Sequence, residues 1–257
     1  MSARARVDTV AQPGRGAIQV GPPPATSSPR HRHRLPSWAL KVTMAVTGVV
    51  WAAFVAIHLF GNLKIFQGPE AYNHYAHWLR EAFYPLMPKQ SVLLAMRAVL
   101  GAALLMHVGC AAIIWRRGRQ ARGTHRVKIR GPRAWGARLM PVTGILILCF
   151  IALHVLDLTL GWGVQSSGFS QATADESFAY QNLVASFQRP QMAIFYSALM
   201  AVLAIHVAKG FTTVASDLGA MGHRWRATLA VIGGLLAVAI LIGNGAIPVL
   251  VLTGVIS

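Results

Sequence analysis

Acidic residues are nearly missing from this chain: seven Asp and Glu stand against twenty-four Lys and Arg in 257 residues, and all charged types together make up 12%. A water-soluble domain of ordinary composition carries roughly twice that share of charge, so a freely soluble globular fold is excluded. Cysteine is equally scarce. Cys110 and Cys149 each lie inside an apolar stretch, which leaves no disulfide framework, no zinc or iron–sulfur ligand set and no Cys-x-x-Cys-His attachment sequence. A collagen, a secreted disulfide knot and a soluble Rossmann enzyme are excluded on the same grounds. What the chain has in quantity is apolar surface, 54% of its residues, gathered into runs long enough to cross a bilayer.

Residues 1–37 are rich in Pro, Gly, Ser and Arg and contain no apolar block. They cannot be a cleaved secretory signal and are expected to form a disordered, basic cytoplasmic tail outside the fold. Beyond them a window of about 19 residues finds five candidate membrane-spanning helices, near 38–63, 91–115, 139–162, 190–214 and 227–255. The last contains Asn244 and Pro248, which predicts a kink or tilt in its outer part. The expectation is an all-α integral membrane protein, 38–257, with five transmembrane helices.

Basic residues in short loops set the orientation. The stretch 116–138 carries nine Lys and Arg, and the 215–226 loop adds Arg224 and Arg226; both are expected in the cytoplasm. The loops at 64–90 and 163–189 hold Glu70, Glu81, Asp175 and Glu176 with few basic residues, which places them outside. The N-terminus is then cytoplasmic and the C-terminus external. Topology thereby accounts for most of the net charge of +17, and no nucleic-acid partner is needed to explain it.

The first and third spans align without gaps at an offset of 96: Met44-x-Val46-Thr47-Gly48 with Met140-x-Val142-Thr143-Gly144, then Phe54, Ala56 and His58 with Phe150, Ala152 and His154. The second and fourth spans share His107-Val108 and His206-Val207 at an offset of 99. A two-helix unit used twice is the simplest account, and it puts the first four helices into a quasi-symmetric bundle. Each of those four spans carries one histidine toward its C-terminal half, and the fifth carries none. Ionisable side chains are expensive in hydrocarbon and face the bundle interior or a cofactor. One alone could equally be a helix–helix hydrogen bond, but four at repeating spacing favour ligation.

Successive helices run in opposite directions, so His58 and His154 fall toward the outside and His107 and His206 toward the inside. Two bis-imidazole sites stacked across the membrane suit two non-covalent haem b groups. Zinc would need a third or fourth ligand at the same depth. Gly48 and Gly144, each ten positions before a histidine, and Gly101, six before His107, leave room for a macrocycle, although small-residue helix packing explains any one of them equally well. Arg97 should lie near the level of His58 and Lys209 is at i+3 from His206; both are candidate partners of haem propionates, with snorkelling to the interface as the alternative.

From His58-Leu59-Phe60-Gly61-Asn62-Leu63-Lys64 through Phe66-Gln67-Gly68 to Tyr72-Asn73-His74-Tyr75-Ala76-His77-Trp78-Leu79-Arg80, and again at Asn182-Leu183-Val184-Ala185-Ser186-Phe187, the sequence resembles the dihaem cytochrome b subunit of succinate dehydrogenase and fumarate reductase (succinate:quinone oxidoreductase), particularly the actinobacterial type. The resemblance covers about residues 38–255. It implies a five-helix anchor in the bacterial plasma membrane for a flavoprotein subunit and an iron–sulfur subunit on the cytoplasmic face, with quinone, commonly menaquinone, as substrate. It also implies the haem pairs His58 with His154 and His107 with His206, and it is compatible with a higher oligomer of the complex. Flavin and iron–sulfur clusters would belong to the partners alone. Dihaem fumarate reductases of the family carry a glutamate two residues before the fourth ligand; here that position is Ala204, which argues against the proton path associated with that glutamate.

No group in the chain could act on succinate itself. For the quinone site, the outer loop after His58 supplies Lys64, Tyr75, His77, Arg80 and Glu81, with His77 and Arg80 on one face of a short interfacial helix. An interfacial anchor would contain much the same residues, and an inner site shared with the iron–sulfur subunit is the alternative location. Two other functions fit the spans and histidines: a dihaem cytochrome of another respiratory dehydrogenase, and a transporter with buried His and Arg.

Overall fold

The computed structural model describes residues 35–122, 132–219 and 222–257, so the expected tail up to residue 34 and the middle of the basic 116–138 loop lie outside the described residues. Every regular element among the described residues is helical: α1 (Ser37–Asn62), α2 (Pro69–Glu81), α3 (Ser91–Arg122), α4 (Pro132–His154), α5 (Ala179–Phe187), α6 (Pro190–Asp217), α7 (His223–Ala239) and α8 (Gly245–Leu252). Five stretches are long and apolar enough to cross a membrane: Ser37–Gln67, Ser91–Ala121, Arg138–Leu160, Pro190–Asp217 and His223–Leu252. Each overlaps one expected span. The second extends past 115 because Arg, Gln and Ala at 116–122 are good helix formers and carry the helix beyond its apolar part.

Local chemistry fixes the boundaries. Pro69 and Pro190 open α2 and α6 at their first turns, where the missing N–H costs nothing. Gly68, at φ 91°, makes the turn into α2. A single-turn π segment, Val155–Leu160, follows α4 and ends at Gly161, which is left-handed at φ 60°. A Cβ at Gly161 would also collide with the Phe169 ring, so glycine is required there twice over. In the fifth span the expected irregularity takes the form of a second π turn, Ile240–Asn244. Pro248 cannot donate to the carbonyl of Asn244 four residues earlier, and the π turn ends at that residue.

α6 is the centre of the bundle, packed against α1, α4, α7 and α8, while α3 lies on α1. Close approach comes from small residues: a Cβ on Gly233 would stand 2.5 Å from Phe211 Cβ, and one on Gly243 2.6 Å from Leu59 Cδ1. The expected four-helix grouping is present in the α1–α3, α1–α6 and α4–α6 contacts, with the fifth span laid along α6. Only 6% of the α3 window and 11% of the α4 window are buried, against 28% in α6; the exposed Leu, Ile and Val of α3 and α4 suit lipid rather than water. The densest core, including Ile65, Tyr180, Phe187, Met200 and Ile247, lies at the end of the bundle that carries α2 and α5.

Three asparagines fasten that end. Asn62 Nδ2 donates to Asn244 Oδ1 at 3.1 Å, linking the first and fifth spans. Asn73 accepts from the Tyr180 backbone N–H at 2.9 Å and donates to Gln181 Oε1 at 2.8 Å, tying α2 to α5. Asn182 holds both polar backbone atoms of Ser170 at 2.8 Å. Asn182 is buried and Asn62 and Asn73 are half-buried; polar groups taken from water are costly unless paired, and each of the three is paired.

Candidate functional site

The helix ends near α2 bring His58 and His154 together, with ring centres 5.9 Å apart and planes crossed at 80°. Two imidazoles coordinating one metal ion from opposite sides, with bonds of roughly 2 Å each, have ring centres roughly 6 Å apart, so this spacing fits axial ligation. The repeat gives both rings the same local partner. Phe54, four residues before His58, stacks on it at 5.4 Å and 15°, and Phe150, four before His154, lies at 5.7 Å and 32°. His154 Nδ1 is buried and has no hydrogen-bond partner among the described residues.

The other two histidines are held differently. His107 Nδ1 lies 3.0 Å from the Met44 carbonyl oxygen and 3.2 Å from Thr47 Oγ1. A carbonyl only accepts, so Nδ1 must carry the proton. Thr47 meanwhile donates its own hydroxyl proton back along α1, to the Thr43 carbonyl at 2.7 Å, which leaves its lone pairs for the imidazole. The repeat reproduces the arrangement: Thr143 donates to the Leu139 carbonyl at 2.9 Å and accepts from His206 Nδ1 at 2.9 Å. His107 is thereby set with Nδ1 protonated and Nε2 unprotonated, the tautomer that binds metals, and the Thr143 contact accommodates the same tautomer at His206.

Gly48 and Gly144, which come directly after these threonines, serve the second pair rather than the histidines of their own helices. A Cβ at Gly48 would stand 3.1 Å from His107 Cε1, and one at Gly144 3.7 Å from His206 Cε1. Gly101 faces open space on α3. Lys209 runs its aliphatic chain over Gly136, whose Cβ would meet Cε at 2.8 Å, and so lies against α4.

Arg97 is exposed on α3 and, with Arg80, lines an open pocket of about 230 Å³ at the α2 end. Leu158, Thr159, Gln171 and Asn182 form part of its wall. No carboxylate lines it, and neither guanidinium has an acidic partner within 4.0 Å among the described residues. The other quinone candidates fall into two separate groups. Lys64 lies over the Tyr75 ring at 5.5 Å, and Tyr75 closes over Gly61. His77 Nε2 is 3.2 Å from Glu81 Oε2, whose Oε1 meets Lys89 Nζ at 2.5 Å. The hydrogen bond from Lys89 holds the Glu81 carboxyl below its ordinary range, and the same bond raises the Lys89 ammonium. Nearby, burial pushes the Tyr72 phenol up to about 12, with Tyr75 adding to the shift, so its hydroxyl remains a donor facing Asn62 Oδ1 at 3.5 Å.

Sequence reasoning passes over several of these residues. Thr47, Thr143, Phe54 and Phe150 all sit inside the aligned repeat, where they register only as matching letters. Asp157 gives no signal beyond being an acid in an apolar run, yet it is 1% exposed and fully partnered.

The model of the succinate dehydrogenase/fumarate reductase transmembrane subunit family matches residues 116–243. That stretch holds His154 and His206, while His58 and His107 precede it. No curated protein matches the chain.

Proposed function

The chain belongs to the succinate dehydrogenase/fumarate reductase transmembrane subunit family, and from that premise we propose that it is the membrane anchor and electron-transfer subunit of the complex, holding two b-type haems between a partner iron–sulfur subunit and (mena)quinone. The observation that carries this reading is the pair of imidazoles, His107 and His206, whose Nδ1 atoms are both held by the preceding span, at Met44 and Thr47 and at Thr143, an arrangement that suits metal binding through Nε2. A histidine kept only for helix packing would have no reason to repeat the anchor.

His107 and His206 hold one haem iron in this scheme, and His58 and His154 the other; bound there, the iron supplies a one-electron carrier at each depth. The protein's own work is positional. Threonine anchors set two of the rings and phenylalanines pack against the other two. The basic 116–138 stretch belongs at the cytoplasmic face, where the flavoprotein and iron–sulfur subunits dock. Electron movement outward would then be assisted by about 2.3 kcal/mol per charge for each 100 mV of membrane potential.

Arg80 and Arg97 supply donors for a quinone carbonyl or a propionate in the pocket at the α2 end. His77 and Glu81 of α2 form a chain with Lys89 of the connection to α3 that can hold a proton near water. Lys209, beside α4, is the propionate candidate of the other pair. Family membership speaks against both the transporter and the cytochrome of another dehydrogenase. The test is a reduced-minus-oxidised spectrum of the protein and its histidine variants. His58→Ala and His154→Ala should lose the same b-type component, and His107→Ala and His206→Ala the other. Loss of one component by both His58→Ala and His107→Ala would overturn the pairing, and absence of any b-type band the whole reading.

A further inference from the structure

Resting on the two-haem reading, we infer that Asp157 and Tyr196 are positioning residues for the outer imidazole pair, fixing the plane of the His154 ring. The need for such a device comes from a difference between the two pairs. His107 and His206 are oriented by hydrogen bonds at Nδ1; His154 Nδ1 has no partner among the described residues. A ring without a directional bond is free to rotate about its side-chain torsions unless packing stops it.

Tyr196 provides that stop. Its ring meets His154 at 6.0 Å between centres and 64° between planes, and it abuts Phe150 edge-on at 5.3 Å. Phe187 closes the other side at 4.8 Å. The tyrosine is itself fixed from beyond, because its hydroxyl donates to Asp157 Oδ2 at 3.1 Å. Asp157 sits in the π turn one turn past His154, and the same carboxylate accepts from Ser186 Oγ at 2.5 Å and from Arg189 Nη2 at 2.6 Å. Arg189 is held in turn by the Val164 carbonyl at 2.8 Å. A carboxylate buried in the apolar half of a helix bundle is expensive. Its four-residue network is satisfied on every oxygen, and the one member that reaches a proposed ligand is Tyr196.

A simple clamp between the 161–189 segment and the end of α4 needs only Asp157, Ser186 and Arg189. The tyrosine hydroxyl adds nothing to that clamp, but it couples the network to the imidazole, where the planes of His58 and His154 are crossed at 80°. The angle between two axial imidazole planes governs the g-anisotropy of a low-spin ferric haem, so the coupling has a direct spectroscopic readout.

The experiment is low-temperature electron paramagnetic resonance of the intact oxidised complex in three variants, Tyr196→Phe, Tyr196→Leu and Asp157→Asn, with haem content measured by pyridine haemochrome. The largest g value of the outer component should shift in all three, most in Tyr196→Leu, which removes the ring, and least in Tyr196→Phe, which keeps the ring and loses only the tether. The inner component should stay at its wild-type position, which also reports that each variant is folded. Two haems with an unmoved outer signal in Tyr196→Leu and Tyr196→Phe would overturn the positioning role even if Asp157→Asn failed to assemble. Equal shifts in both components would overturn it as well, by showing a fold-wide effect. A wild-type protein lacking a second haem would instead overturn the reading on which the inference rests.

Discussion

Replacing Thr143 by Val should loosen one haem by roughly tenfold, and replacing Thr47 by Val should do less. Valine keeps the shape of threonine while deleting the oxygen that accepts from the imidazole. In the Thr143 variant His206 loses the one acceptor its Nδ1–H has, at 2.9 Å. A buried donor left unpaired costs about 1–3 kcal/mol, and at about 1.4 kcal/mol per factor of ten the lower part of that range corresponds to roughly tenfold. Outer-shell partners of metal-bound histidines typically contribute 10–100-fold to affinity, which agrees. His107 is different, because the Met44 carbonyl remains at 3.0 Å after Thr47 is gone. The net value of the lost bond is then closer to 1 kcal/mol or below, a few-fold effect. The assay is haem retention of the purified complex during dilution into haem-free detergent, followed in the b-type absorbance, with Thr143→Ser as the rescue. Equal retention in wild type and Thr143→Val, or a larger loss in Thr47→Val than in Thr143→Val, would refute the assignment of tautomers from these bonds.

The neighbouring glycines should respond in the opposite order. Gly48→Ala introduces a methyl 3.1 Å from His107 Cε1 and Gly144→Ala one 3.7 Å from His206 Cε1, so the first should perturb the inner-haem spectrum while the second leaves it unchanged. Stability of the α2–α3 connection should fall in acid: Glu81 is depressed by Lys89 and His77, so its contribution is fully present above the ordinary carboxylate value and lost as the pH drops through the lower folded value. Hydrogen exchange of residues 82–90 should therefore accelerate below about pH 4 and become insensitive to acid in Glu81→Gln. Arg80→Gln and Arg97→Gln should each raise the KM for quinone if the α2-end pocket takes the headgroup; Lys64→Gln, which lies apart over Tyr75, should not.

The amount of this structure that can be read from the sequence depends on the range of the interaction. The five spans derive from runs of apolar residues, a local property, and only their ends move: α3 continues to Arg122 because propensity outlasts hydropathy. The irregular fifth span is announced by Asn244 and Pro248, although not its form as a π turn. The histidines stand out because ionisable groups in hydrocarbon are rare. Their threonine anchors do not, since a Thr in a membrane helix is ordinary until the residue it touches is known, and those contacts join helices 60 or more residues apart in sequence. Asn62, Asn73 and Asn182, which stand in the motifs that carry the resemblance, are fasteners of one end of the bundle, so a residue that makes a motif recognisable need not take a direct part in the chemistry.

Duplication and divergence act on different parts of this bundle. Thr47 and Thr143 preserve the same function across the duplication, each bonding backward along its own helix and outward to a histidine on the next. Phe54 and Phe150 likewise preserve their contact with the histidine four residues on, stacked in the first copy and tilted in the second. Between the copies the surroundings diverge. After His58 the helix runs on into Leu59–Asn62 and a 3₁₀ turn, whereas after His154 it opens into a π turn that places Asp157 among Ser186, Arg189 and Tyr196. A π turn inserts an extra residue per turn and so rotates the residues beyond it about the helix axis; without it Asp157 would occupy a different face of the helix. The common scaffold repeats the anchored threonine and the phenylalanine beside a histidine, and the local insertion after His154 is what gives that histidine surroundings of its own.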